Sequence, residues 1–233
     1  MSGKLYIVGS PIGNLEDVTL RALATLRNVD VVYAEDTRVS RKLLDRYQIK
    51  KPLRSFREAA PRSQVDRTIE KIFEELQVGS VAYLSDAGTP GVSDPGQYLV
   101  QRLSELGIEA VPIPGPSALA SLLSVSGLLA SRVLFVGFLA KKKGHQTEME
   151  RLERVLREDL ADGIVIYESP ERILKLLGEL AEWKEIELNV CIGRELTKRF
   201  EEIVRGNLIQ VRQHMEAKPT IKGEISLLIT CTR

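Results

Sequence analysis

The chain has 233 residues, 43% of them hydrophobic and 28% charged, with a formal net charge of +1. That apolar content is ample for packed cores and excludes disorder, while the length suits one large domain or two ordinary ones. The near-neutral balance excludes a protein that coats nucleic acid nonspecifically. In the first half, short β-rich runs (KLYIVG, DVVYAE, SVAYLS, EAVPIP) alternate with amphipathic stretches at 14–27, 63–77 and 96–106, which is α/β patterning. Asn14 reads as an N-cap with Asp17 in an acidic first turn, and Val18, Leu23 and Leu26 form the apolar stripe of that helix.

IPGPSALASLL closes the first half, and the pattern changes after it, which predicts domains at 1–116 and 117–233. The second half reads as strand RVLFVGF, a charged helix at 146–160, strand GIVIYES, a helix at 170–181 and strand LNVCIG. EEIVRG and GEISLLITCT then flank a short helix at 207–215 and are expected to be antiparallel, so a mixed sheet is expected here. The apolar run 5–8 is shorter than a secretory core. The stretch 118–130 is broken by Ser121, Ser124, Ser126 and Gly127 and falls short of the roughly 20 residues of a membrane span. A cytoplasmic protein without a membrane segment is expected. Cys191 and Cys231 sit in apolar runs as small hydrophobes, and the isolated His145 and His214 leave no cluster at metal-ligand spacing, so neither a disulfide nor a metal site is expected.

Five segments carry candidate chemistry. SVAYLSDAGTPGVSDPG, 80–96, runs a buried strand into a loop where Gly88, Gly91 and Gly96 permit close backbone approach, Pro90 and Pro95 stiffen the path, and Asp86 and Asp94 supply carboxylates. YIVGSPIGNL follows the first strand at the position where α/β proteins bind ligands. It lacks both the dinucleotide fingerprint and the phosphate-loop sequence, and geometry alone also accounts for Gly9 and Gly13. AEDTRVSRKLL puts Glu35, Asp36, Thr37 and Arg38 at the end of the second strand, where Asp36 or Thr37 caps a helix or a carboxylate and an arginine serve a substrate. In PGPSAL, Ser117 either caps a helix or, with Ala118, offers backbone donors to a ligand. GRELTKRFEEIVRG, without clear periodicity in its first half, reads as a site loop or a solvated hairpin. From Arg38 to Arg67 ten basic residues stand against three acidic ones, a window suited to a phosphate-rich partner or to a solvated helix face; Lys141, Lys142 and Lys143 form a smaller basic turn.

In this order VGSPIGNL, VDVVYAEDTR, SDAGTPGVSDPG, PGPSAL, GFL, YESP, RELTK and KGE resemble the tetrapyrrole methylase superfamily, specifically its branch of small-subunit ribosomal RNA methyltransferases, over nearly the whole chain. The resemblance implies a two-domain α/β tetrapyrrole methylase-like fold, with a mostly parallel N-terminal sheet, a mixed C-terminal sheet and the cofactor in the interdomain cleft. It also implies a homodimer, S-adenosylmethionine as methyl donor and 2′-O-methylation of a cytidine ribose in 16S ribosomal RNA. Carried over by motif, Pro11, Asp86, Ala87, Gly88, Val92, Ser93, Ser117, Ala118, Tyr167 and Leu196 bind the cofactor. Glu35 or Asp36 is the candidate base, and Arg38, Arg41, Lys42, Arg57 and Lys198 contact RNA. The chain departs from the branch in SFREAAP, with Arg57 and Ala59 where histidine is usual and Ala60 where asparagine is usual, and further at Ala140 and Glu171. A methyltransferase of corrinoid or porphyrin precursors on the same scaffold is the enzymatic alternative, and a noncatalytic RNA-binding assembly factor is the alternative of another class.

Overall fold

The computed structural model describes residues 3–232. Its contacts divide the chain into two compact units, one running to Ser117 and the other starting at Ala118. In the first, β1 (Leu5–Val8), β2 (Val31–Ala34), β3 (Leu53–Ser55), β4 (Val81–Leu84) and β5 (Ala110–Ile113) form a parallel sheet in the order β3-β2-β4-β1-β5. Every residue of β2 and β4 is buried, because helices cover both faces. On one face Leu23 and Leu26 of α1 (Leu20–Asn28) and Leu43 and Leu44 of α2 (Thr37–Arg46) pack on Val8, Val32 and Leu84. On the other, Ile69, Ile72 and Leu76 of α3 (Arg62–Val78) and Leu99 and Leu103 of α4 (Gln97–Glu105) pack on Leu5, Tyr33 and Tyr83. Alternate residues of each strand serve opposite cores, as the period of two requires.

Chain order and sheet order together fix where a ligand can sit. From β1 the chain moves toward β2 on one side, and from β4 toward β5 on the other, so neighbouring β1 and β4 mark the point where the winding reverses. At such a point the loops leaving adjacent strand ends diverge and open a crevice at the carboxyl edge.

In the second unit β6 (Val133–Phe138), β7 (Gly163–Glu168), β8 (Leu188–Arg194), β9 (Glu202–Asn207) and β10 (Ile225–Cys231) form a sheet ordered β6-β7-β10-β8-β9. Only β6 and β7 pair in parallel, so the sheet is mixed. Its core is built with α6 (His145–Arg157), α7 (Ile173–Leu180) and α8 (Leu208–Glu216), through residues such as Leu152, Leu177 and Val211. Leu122 of α5 (Ala118–Ser126) approaches Gly193 of β8 so closely that a Cβ there would lie 3.1 Å from its methyl. Cys191 is buried and Cys231 is half-buried.

Several elements differ from the sequence expectation. The stretch 14–27 is not one helix: Asn14 caps a single 3-10 turn, Leu15–Asp17, and Val18 and Thr19 are extended before α1 begins. The Thr19 hydroxyl accepts the Ala22 N–H at 3.1 Å, so a β-branched pair with its own cap restarts the helix. β3, three residues long, escaped the periodicity argument. β9 and β10 do not pair with each other; each is antiparallel to β8, which lies between them. Among the described residues no helix is long and apolar enough to cross a membrane, and no group of three or more His, Cys, Asp or Glu could hold a metal ion.

Candidate active site

The carboxyl edge of the first sheet gathers four of the segments singled out above. Just beyond β1 and β4, Ser10 and Gly88 form an isolated antiparallel bridge, with the Ser10 N–H donating to the Gly88 carbonyl at 2.8 Å and the Gly88 N–H returning at 3.1 Å. The buried Ser10 hydroxyl donates to the Ser85 carbonyl at 3.2 Å. Gly9 meets Gly115 backbone to backbone: a Cβ on Gly9 would lie 2.7 Å from the Gly115 Cα, which explains the glycine on each side. The Thr89 hydroxyl donates to the Pro116 carbonyl at 3.3 Å. Pro11, the loop 85–93 and Ser117 therefore belong to one wall. Ser93 adopts a left-handed φ of 57°, as do Gly88 and Gly91, so successive backbone groups of this loop point away from any regular ladder.

The end of β2 is tied into the same wall. The Asp36 N–H donates to Asp86 Oδ1 at 2.9 Å. The Asp36 carboxylate caps α2 by accepting the Arg38 N–H at 2.8 Å, and the Arg38 guanidinium grips it through a 2.5 Å bond. Those hydrogen bonds hold its pKa well below the usual carboxylate range. Capping and ligand-edge placement thus coexist in AEDTR. Glu35, half-buried, has the opposite shift: burial raises its pKa, the Asp86 charge adds to the rise, and the Asp86 backbone amide opposes it in part. The two adjacent carboxylates are driven apart, Glu35 upward and Asp36 downward.

Beneath this edge lies Tyr83, fully buried, with its hydroxyl lacking a hydrogen-bond partner among the described residues. Burial first, then the charges of Glu35, Glu58, Asp94 and Asp86, push its ionisation far up, so it stays a neutral donor. Glu58 was missed by the sequence reading. Its carboxylate accepts the N–H groups of Gly96 at 2.5 Å and Tyr98 at 2.7 Å, capping α4 from across the loop. A glutamate 38 residues upstream of Gly96 leaves no local signal of this role.

In the second unit Tyr167 lies on β7, and its hydroxyl oxygen accepts the Leu119 N–H at 2.9 Å at the start of α5, beside Ala118. Phe135 and Phe138 stand edge-on to its ring. Leu196 is buried just past β8, between Glu195 and Thr197, which have φ of 52° and 65°. RELTK forms the turn of the β8–β9 hairpin, and its two left-handed residues with the buried Leu196 between them mark that turn as held. Lys198 is 27% exposed and bonds Glu195 at 2.9 Å and Glu224 at 3.1 Å, so its ammonium is already neutralised. By contrast, the Arg38 side chain is 84% exposed, and Arg41, Lys42 and Arg57 are exposed as well.

Similarity to known proteins agrees with this construction. Residues 4–211 match the family model described as Tetrapyrrole (Corrin/Porphyrin) Methylases. Ribosomal RNA small subunit methyltransferase I of Thermotoga maritima is 44% identical over 229 residues, covering 98% of each chain. The protein of the same name from Mesorhizobium japonicum is 46% identical, covering 97% of this chain and 74% of its own. Among solved structures, uroporphyrin III C-methyl transferase from Thermus thermophilus superposes with a TM-score of 0.68 at 18% identity, covering 98% of this chain and 97% of that one. A diphthine synthase gives 0.72 at 14%, covering 98% and 90%. With a family model matching residues 4–211 and relatives this similar over nearly all of this chain, the chain belongs to the tetrapyrrole methylase family.

Proposed function

We propose that the protein transfers a methyl group from S-adenosylmethionine to the 2′-hydroxyl of a cytidine ribose in small-subunit ribosomal RNA. The observation that carries this reading is the 44% identity, end to end, with a relative named as a small-subunit ribosomal RNA methyltransferase. The exposed cations of α2 and of the segment after β3 favour it over a tetrapyrrole substrate, which needs no basic window of ten residues. A noncatalytic assembly role has no observation in its favour.

The residues at the sheet edge fit the cofactor. S-adenosylmethionine is a sulfonium carrying an ammonium and a carboxylate, and the cluster of Glu35, Glu58, Asp86 and Asp94 provides a negative field for its cationic groups. The unpartnered Tyr83 hydroxyl and Gly88, whose left-handed φ of 81° disfavours a side chain, leave a donor and backbone surface for a polar ligand. Pro11, Asp86, Ala87, Gly88, Val92, Ser93 and Ser117 are the proposed contacts from the first unit. Ala118, Tyr167 and Leu196 are those from the second.

When bound, the cofactor supplies an electrophilic methyl carbon on a positively charged sulfur. The protein's own task is alignment of the attacking ribose and removal of one proton. Glu35, with its raised pKa, accepts that proton. Asp36, held as a carboxylate by Arg38, orders the start of α2 instead. Arg38, Arg41, Lys42 and Arg57 receive RNA phosphates, whereas Lys198 holds the RELTK loop through Glu195 and Glu224. The resemblance also assigns a homodimer, which sedimentation of the purified protein tests.

The deciding experiment is transfer of labelled methyl to unmodified small ribosomal subunits, with a corrinoid precursor in parallel, followed by digestion of the RNA. Label on a ribose 2′-oxygen is the expected result. Label on the corrinoid alone, or on neither substrate despite cofactor binding, overturns the proposal.

A further inference from the structure

A cavity of about 210 Å³ opens between the end of β3 and the first turns of α3, lined by Ser55, Arg57, Ala60, Gln64, Val65 and Thr68, with Phe56 at its base. Two of its lining residues interact with the candidate site. The Ser55 hydroxyl donates to the Glu35 carbonyl at 3.5 Å, and the Arg57 charge acts on the Asp36 carboxylate. On its other side the wall runs into an open groove along α3, where Arg67 and Lys71 join Gln64 and Thr68. Arg57, Arg67 and Lys71 are all exposed.

The cavity is smaller than the ~300–1,000 Å³ that holds a drug-sized ligand and suits a single planar ring. Its walls are apolar at Ala60 and Val65 and polar at three points. Thr68 Oγ1 spends its hydrogen on the Gln64 carbonyl at 2.9 Å, and the Ser55 hydrogen points to Glu35. Both hydroxyls therefore turn lone pairs toward the cavity, and the Gln64 carboxamide adds a donor and an acceptor. A ring edge carrying an exocyclic amino group complements them, and the cations at the mouth complement the phosphates on either side of it.

We propose that this cavity seats one unpaired, amino-bearing nucleobase of the RNA beside the nucleotide that is methylated, with the flanking phosphates on Arg57, Arg67 and Lys71. The inference rests on the RNA reading above and adds a subsite to it. Sequence-selective recognition of RNA works on splayed-out single-stranded bases, which a cavity of this size admits and a duplex cannot fill. Its chemistry differs from the histidine and asparagine usual in this segment of the branch, so base preference here is set by Ser55, Gln64 and Thr68 of this chain.

The test compares wild type with Ala60→Leu and Thr68→Leu, which fill the cavity, and with Thr68→Val, which keeps its shape and removes one acceptor. Binding of fluorescein-labelled single-stranded oligocytidine and oligouridine is read by anisotropy, with the melting temperature and the Kd for S-adenosylmethionine as controls. Wild type is expected to bind oligocytidine more tightly than oligouridine. The leucine variants are expected to lose about tenfold in RNA affinity, the scale of one base contact, with cofactor binding unchanged. Thr68→Val is expected to narrow the cytidine preference while keeping the wild-type fold. Filled cavities that bind both oligomers like wild type, or a wild type that binds neither, overturn the proposal. A wild type that binds oligocytidine selectively yet methylates no ribosomal subunit refutes the methyl-transfer reading while leaving the subsite standing.

Discussion

Replacing Glu58 by alanine removes both acceptors at the start of α4, the Gly96 and Tyr98 N–H bonds at 2.5 and 2.7 Å. Hydrogen bonds to a charged group contribute about 1.5–3 kcal/mol each when shielded from water, and a lost helix cap costs about 0.5–2 kcal/mol. Glu58 is half-buried and its two bonds share one carboxylate, so a combined loss of about 2–3 kcal/mol is expected. With an unfolding entropy of about 2.1 cal/mol/K per residue, the melting temperature falls by roughly 5 °C if both units unfold together and by roughly 10 °C if the first unfolds alone. Calorimetry on the Glu58→Ala, Glu58→Gln and wild-type proteins makes the measurement. The glutamine keeps one oxygen and should melt between the other two. The same substitution frees the far end of the loop 85–96, whose Gly91 N–H donates to the Pro95 carbonyl at 3.1 Å, so cofactor affinity should fall with stability. A Glu58→Ala protein that melts with wild type and binds the cofactor normally refutes both the capping energetics and the link between the cap and the loop.

If Glu35 is the base, Glu35→Gln should lower kcat by about 10²–10⁴ with cofactor binding retained, and Asp36→Asn should cost far less. Because burial and Asp86 raise the Glu35 pKa, the wild-type rate should fall on acidification at a pH above the ordinary carboxylate value, and a pH–rate profile that stays level into that range contradicts the assignment. Gly9→Ala places a Cβ 2.7 Å from backbone atoms that cannot rotate away and should destabilise by about 1–3 kcal/mol; Gly115→Ala strains the same contact, so denaturant titration of the double variant should show less than the sum. Burial raises the Glu202 pKa, but hydrogen bonds from Lys218, His214 and Arg194 outweigh it and lower the value from 4.5 to about 2. Its depressed folded-state pKa means that its stabilisation is present above pH 4.5 and lost as the pH falls toward 2, so acid titration of stability should bring Glu202→Gln and wild type together across that window.

What the sequence made legible follows from the range over which each signal acts. The buried strands β2 and β4 are continuous apolar runs, and the periodic helices α3 and α4 carry their cores at regular spacing, so all four stood out. The parallel first sheet and the mixed second sheet both follow the expected pattern. Long-range pairing was not legible. Nothing local in EEIVRG or GEISLLITCT says that both lie against LNVCIG and not against each other, because register and partner are decided by strands far away in the chain.

The site divides along the same line. Glycines and prolines announce a loop because their backbone constraints are written in the residue itself, and the left-handed Gly88 and Gly91 are where 80–96 puts them. The roles of the carboxylates are not intrinsic. Glu35 and Asp36 are neighbours of nearly equal chemistry, and what separates them is an arginine two residues along the helix and the charge of Asp86, brought in by β4. Glu58 is a still stronger case, an exposed-looking acid in a segment that departs from its family, yet the fold turns it into the cap of α4 and sets it beside Tyr83. Motifs thus locate the chemistry of this chain, while the division of labour within it arises from contacts between segments that no motif contains.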